Sequence, residues 1–287
     1  MGLAFGLAAA LCWGLADYFA ALAARRIGTL RVVMGFHVVA MAVLTAIVLA
    51  TGRLKALDWE DVPPFVLIGA IGWLSYMTFY GALKAGPVSV VSPIVSGYAM
   101  VTVLLAVVIG GERPTAMVTA AVVLIIGGVV LASADVHTMR PATMGSLAVR
   151  GPALALVAMT FLGGFVYGLA HYADELGWLL PIFLGRGFTL LFLIGHALRT
   201  RQLDLPDRSR RMLATIAFLA LADTGGYVLF NLGVGHAATS LVSAAAAPYA
   251  LVPVVLGVAL LAERPSRPQW AGVGCVIAGI VALGLTG

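Results

Sequence analysis

Hydrophobic positions along this chain come in long runs, and polar positions are confined to the short breaks between them. Cutting at charged, proline-marked or glycine-marked breaks leaves ten apolar segments, at roughly 3–24, 30–51, 63–84, 88–110, 115–134, 147–172, 178–198, 212–235, 239–261 and 267–286. A helical crossing of a bilayer takes about 20 mainly apolar residues, so each segment is long enough to span. None alternates strictly as a barrel strand does, and backbone amides in lipid must be satisfied within the segment, so the pattern predicts α-helices. The expected fold is an all-α polytopic membrane protein with ten transmembrane helices. Pro63, Pro64, Pro114 and Pro265 stand where a helix can begin without losing an internal amide. The connections are short apart from 135–146, and the most polar stretch is "RTRQLDLPDRSRR" at 199–211.

Composition agrees with the pattern. The chain is 62% hydrophobic and 10% charged, with a mean hydropathy of +1.06, far from the roughly 25% charge of ordinary soluble domains. The net charge of +5 is spread between apolar segments and forms no basic patch, so nucleic acid is not an expected partner. Cys12 and Cys275 sit in separate apolar segments and make no metal or redox motif. The N-terminus lacks a basic region ahead of its first apolar run, so residues 3–24 are expected to remain as a span.

An internal repeat organises the chain. At a constant offset of 151, "SVVSPIVSGYAMVTVLLAVVIGGERP" (89–114) lies over "SLVSAAAAPYALVPVVLGVALLAERP" (240–265) without a gap. Ser89/Ser240, Ser92/Ser243, Tyr98/Tyr249 and Glu112-Arg113-Pro114 against Glu263-Arg264-Pro265 are identical. A weaker offset of 149 pairs Gly14 with Gly163, Tyr18 with Tyr167 and Gly28 with Gly177. Each half then holds five segments, 1–143 and 144–287. An odd number of crossings turns the second half upside down, an inverted-topology repeat of the kind transporters use for alternating access.

The first segment, "CWGLADYFAALAARR", and the paired "GERP" and "AERP" after the fourth and ninth segments resemble the EamA-type branch of the drug/metabolite transporter superfamily. The resemblance covers essentially the whole chain. It implies export of small metabolites such as amino acids through a central cavity, and termini in the cytoplasm. The basic residues point the other way. Thirteen fall on the face shared by Arg25, Arg26 and the 199–211 connection, against three, Arg53, Lys55 and Arg113, on the face of the termini. The positive-inside rule therefore expects both termini outside.

Ionisable groups within spans are costly, at least about 2.5–3.5 kcal/mol at the bilayer centre, and mark cavities or partners. Asp17 lies about 12 Å along its helix from Arg25, too deep for an easy pairing. Its helical neighbours are Trp13, Gly14, Ala20 and Ala21, one aromatic wall among small residues. It is a candidate for proton coupling or for holding a substrate's cationic group, against a structural reading as a carboxylic acid bonded to a neighbouring helix. Arg186 and Asp223 are also near the centres of their segments. Either they neutralise each other, leaving Asp17 as the unmatched acid, or Arg186 reaches the cavity and holds a substrate carboxylate.

Hydroxyls and rings complete the candidates. Ser89, Ser92 and Ser96 share one face of the fourth segment around Pro93, and Ser240, Ser243, Pro248 and Tyr249 repeat the theme in the ninth. The alternative for the serines is plain close packing. Among the aromatics, Trp13, Tyr76, Tyr98, Tyr227 and Tyr249 suit a cavity lining, whereas rings nearer helix ends, Tyr80 and Trp73 among them, read as interface anchors. His37 occupies the repeat position of Arg186, either titrating during a cycle or packing as a core histidine. Glu112 and Glu263, in tight turns before prolines, suit the capping of helix amides.

HExxH, GxSxG and phosphate-binding Gly-rich motifs are missing, so an intramembrane enzyme has no visible machinery. A scaffold would not need deep charges or an inverted repeat. The sequence therefore predicts a secondary active exporter of a small polar metabolite, an amino acid or related zwitterion ahead of an organic cation or quaternary amine. It is expected to act as a monomer in the bacterial inner membrane, with no cofactor beyond a coupling proton.

Overall fold

The structure is a computed structural model that describes residues 1–85, 91, 94–133, 146–203, 207, 209–252 and 267–284. Described residues are almost wholly helical, with no strand among them. The main helices are α1 (Gly2–Ile27), α2 (Thr29–Thr51), α3 (Val62–Ala85), α4 (Tyr98–Val108) and α5 (Ala116–Ser133), followed by α6 (Ser146–His171), α7 (Leu179–Thr200), α8 (Arg210–Val234), α9 (Thr239–Ala246) and α10 (Arg267–Gly284). Short turns of 3-10 helix fill Arg53–Ala56, Trp59–Asp61 and Ala247–Ala250, and a single helical turn covers Ala173–Leu176. The 3-10 turn carries Pro248, where the missing amide ends the regular run of α9. Pro93, Pro253 and Glu263 lie outside the described residues.

Six helices among the described residues are long and apolar enough to cross a membrane, and Ile94–Val108, Ala116–Gly128 and Trp270–Gly279 are shorter apolar helices. Leu11, Leu49, Leu67, Leu104, Leu156, Leu191, Leu221 and Ile277 all face outward on different helices. An apolar girdle of that kind needs lipid around it.

Packing runs mainly between the halves, and it comes in matched pairs. Helix α1 packs on α8 as α6 packs on α3; α1 meets α9 as α6 meets α4; α2 meets α8 as α7 meets α3. The pairs α2 with α7, α4 with α9 and α5 with α10 map onto themselves when the halves are exchanged. Close backbone approach makes two of these contacts possible. A Cβ on Gly14 would lie 2.5 Å from the carbonyl oxygen of Tyr249, and one on Gly163 would lie 2.8 Å from that of Tyr98. Small residues let transmembrane helices dock through dispersion where the hydrophobic effect gives no help.

Contacts between helix ends sort onto two faces. On one, Arg26 pairs with Asp207 at 2.8 Å and Thr29 Oγ1 donates to the Tyr80 carbonyl at 3.3 Å. On the other, the Glu112 carboxylate accepts from the amides of Thr239 (2.8 Å) and Ser240 (3.2 Å), and Asn231 Nδ2 donates to the Trp178 carbonyl at 3.4 Å. Each contact joins ends that a chain switching faces at every main helix brings to the same side.

Candidate functional site

Between the halves lies a small cavity, with about 30 Å³ free in this conformation, room for a water or two. Helical spacing builds its wall. Trp13 and Asp17 stand four residues apart on α1, and Asp223 and Tyr227 four apart on α8. Helix α3 adds Ser75, Tyr76, Phe79 and Tyr80, and α6 adds Leu162 and Val166. Tyr98 enters from α4 and Tyr249 from the 3-10 turn after α9.

The rings form one connected surface. Trp13 meets Tyr227 edge-on with centroids 5.0 Å apart and Tyr98 at 6.2 Å, and Tyr98 meets Tyr249 at 5.7 Å. Trp13 is fixed by its own hydrogen bond, Nε1 donating to the Asp223 carbonyl at 3.2 Å, and its ring lies so close to α8 that a Cβ at Gly226 would collide with it. Tyr76 and Tyr227, separated by 151 residues, are in hydrogen-bond contact through their hydroxyls at 3.3 Å. That separation is the repeat offset, so Tyr76/Tyr227 and Tyr98/Tyr249 are two equivalent pairs that each meet across the boundary between the halves.

Two aspartates and one arginine stand in or behind this wall, and two of the three are engaged. Arg186 is fully buried and ion-paired through Nη2 with Asp223 Oδ2. Its guanidinium lies 5.4 Å from the Tyr227 ring centroid and 5.9 Å from that of Phe36, distances at which a ring face attracts a cation. Both Asp223 oxygens also accept from the Tyr76 hydroxyl, at 3.2 and 3.3 Å. Asp17 is different: its one hydrogen bond among the described residues comes from the Tyr80 hydroxyl at 3.4 Å, and it has no ion pair there. The hydroxyls of Ser75, Tyr98 and Tyr249 have no partner among the described residues and line the same space.

Seven of the residues selected from the sequence line the cavity: Trp13, Asp17, Tyr76, Tyr98, Asp223, Tyr227 and Tyr249. Arg186 lies behind Tyr227 rather than among them. His37 is buried beside it, with Nδ1 2.9 Å from the Val33 carbonyl and its ring against Phe36 and Tyr76. Ser96 is buried just before α4 and Ser243 within α9, neither in the lining; Ser92 lies outside the described residues. Glu112 caps a helix, as its turn suggests, but the helix belongs to the other half.

Ser75, Phe79, Tyr80, Leu162 and Val166 are the lining residues that sequence reasoning missed. The 149 offset carries a signal for two of them, since it places Leu162 over Trp13 and Val166 over Asp17. Tyr80 is buried, 1% exposed, although it stands five residues before the end of α3. Its hydroxyl reaches Asp17, so it is a lining residue and not an interface anchor.

A crystal structure described only as that of a protein is similar in fold over 99% of this chain and 96% of its own, with a TM-score of 0.76 and 17% sequence identity. At that identity the likeness speaks for the fold alone. No curated protein matches the sequence significantly. The EamA-like transporter family model matches twice, over residues 1–134 and again over 149–285. With both halves matched and apolar helices facing outward all round, the chain belongs to the EamA-like transporter family and is a multi-pass integral membrane protein.

Proposed function

We propose that this protein is a secondary active carrier that exports a small polar metabolite bearing an amino group, by alternating access around the central cavity. In this reading the chain crosses the bilayer ten times, as two five-helix halves, 1–143 and 144–287, in opposite orientation. Two such halves can exchange conformations to give inward-open and outward-open states of similar energy. The observation that carries the proposal is the cavity at the boundary between the halves, lined from both, with one carboxylate that has no cation beside it among the described residues. Without a nucleotide-binding motif, the driving force is an ion or substrate gradient. Asp17 is the group that exchanges a proton for the substrate's ammonium.

An amino acid or related zwitterion fits if Arg186 leaves Asp223 to meet the substrate carboxylate. An organic cation needs no such rearrangement, and the engagement of Arg186 favours it. The test is transport into proteoliposomes under an imposed pH gradient, with a panel of radiolabelled amino acids, amines and quaternary ammonium ions. Accumulation that follows the gradient, and loses its pH response in Asp17→Asn, is the expected result. Normal pH-responsive transport by Asp17→Asn would remove Asp17 from the coupling mechanism.

A further inference from the structure

We infer that the cavity is built for a small monocationic amine that carries no carboxylate, its ammonium at Asp17 and its apolar part against Trp13, Tyr98 and Tyr249. The inference rests on the carrier reading above and sharpens its substrate class. Four observations carry it.

Charge comes first. Asp17 and Asp223 both line the cavity, and no cationic side chain is among the described residues that do. Arg186, the one guanidinium nearby, is 0% exposed, held by Asp223 and flanked by two rings. A substrate carboxylate would enter beside two acids, since the guanidinium nitrogens without a hydrogen-bond partner, Nε and Nη1 of Arg186, are outside the lining; freeing Arg186 would leave Asp223 buried and unpaired. Valence comes second. Of the two lining acids, only Asp17 is without an ion pair among the described residues, so a second ammonium on the same substrate would find no partner of its own there. Third, the rings form a continuous wall beside Asp17, a surface for the apolar part of the amine. Fourth, the Tyr98 and Tyr249 hydroxyls are unpartnered among the described residues and can accept from ammonium N–H groups.

Matched ligands separate these requirements. Phenethylamine, phenylalanine and phenylalaninamide share a ring and an amine, and only phenylalanine carries a carboxylate; cadaverine is the dication. Binding to the purified full-length protein is measured by isothermal calorimetry, and transport of the same compounds is measured in proteoliposomes. Phenethylamine and phenylalaninamide are expected to bind at least about tenfold more tightly than phenylalanine and cadaverine, a difference of about 1.4 kcal/mol. Asp17→Asn is expected to lose that affinity, and Asp17→Glu, which keeps the charge, to retain part of it. Phenylalanine binding as well as its amide, or no binding of any monoamine by protein with a cooperative thermal transition, overturns the inference. Carboxylate-dependent transport would sink it while leaving the carrier reading intact. Asp17-dependent amine binding without any transport would do the reverse.

Discussion

Arg186 and Asp223 show how a charge is kept inside an apolar bundle. The guanidinium is wholly buried, ion-paired on one side and covered by the Phe36 and Tyr227 rings. Removing one partner strands the other, and breaking a buried pair in this way typically costs about 3–5 kcal/mol. Arg186→Met is therefore expected to lower the thermal midpoint of the purified protein sharply, and Arg186→Met with Asp223→Leu to recover most of the loss. If the double variant melts no higher than the single one, the pair is not what holds Arg186 in place. Both charges were legible in the sequence as deep, and their mutual pairing was one of two open readings; which reading holds depends on side-chain direction, which residue spacing does not give. Tyr80 marks the same limit. Nearness to a helix end suggests an interface anchor, but burial is set by the neighbours that α3 meets, here α6, α7 and α1.

At the scale of elements, polar ties join helix ends from the two halves. Glu112 accepts from the first amides of α9, which would otherwise lack partners. Glu112→Ala is expected to weaken that start by about 0.5–2 kcal/mol, seen as faster hydrogen exchange at Thr239 and Ser240, while Glu112→Gln loses less. The turn before Pro114 announces a capping carboxylate, and the sequence is silent on which helix it caps because that address comes from the fold. On the opposite face Asp207 Oδ1 accepts from the Ser209 amide, Ser209 caps α8 through Met212, and Asp207 pairs with Arg26 of α1. The Ser209 hydrogen bonds, with the Arg26 charge adding to them, hold the Asp207 carboxyl below its usual range. A lowered folded value means that this tie is present above the unfolded value, about pH 4, and fades as pH falls through the folded one. The difference in thermal midpoint between wild type and Asp207→Asn is accordingly expected at pH 7 and absent near pH 2.

For the whole molecule, the repeat is the most legible feature of the sequence and the matched packing of the halves is its physical counterpart. Helices α4 and α9 reveal it because their contacts with α6 and α1 demand similar faces in both halves. The pair Tyr76 and Tyr227 obeys the same 151 offset, which marks equivalent positions; that their hydroxyls meet comes from the fold. The breakage of the repeat is legible in the alignment of the halves: Asp17 stands over Val166, and Asp223 over Gly72. Under the positive-inside rule, the thirteen-to-three distribution of basic residues gives the expectation that the Arg26–Asp207 face is cytoplasmic, opposite to what the resemblance implies. Ser209→Cys in intact cells is then expected to resist an impermeant thiol reagent and to react after the membrane is opened. Ready labelling of intact cells would invert that orientation.

On the proposed exchange mechanism, the broken equivalence of Asp17 and Val166 also implies a stoichiometry. One free carboxylate holds one positive charge at a time, so a cycle that carries a monovalent cation one way returns a single proton the other way. Such an exchange moves no net charge, and the membrane voltage, worth about 2.3 kcal/mol per charge per 100 mV, does no work on it. On that proposal the pH difference alone is the fuel, and one unit supplies about 1.4 kcal/mol, enough for an amine gradient of about tenfold. Clamping the voltage with potassium and valinomycin should leave amine accumulation in proteoliposomes unchanged, and nigericin should abolish it.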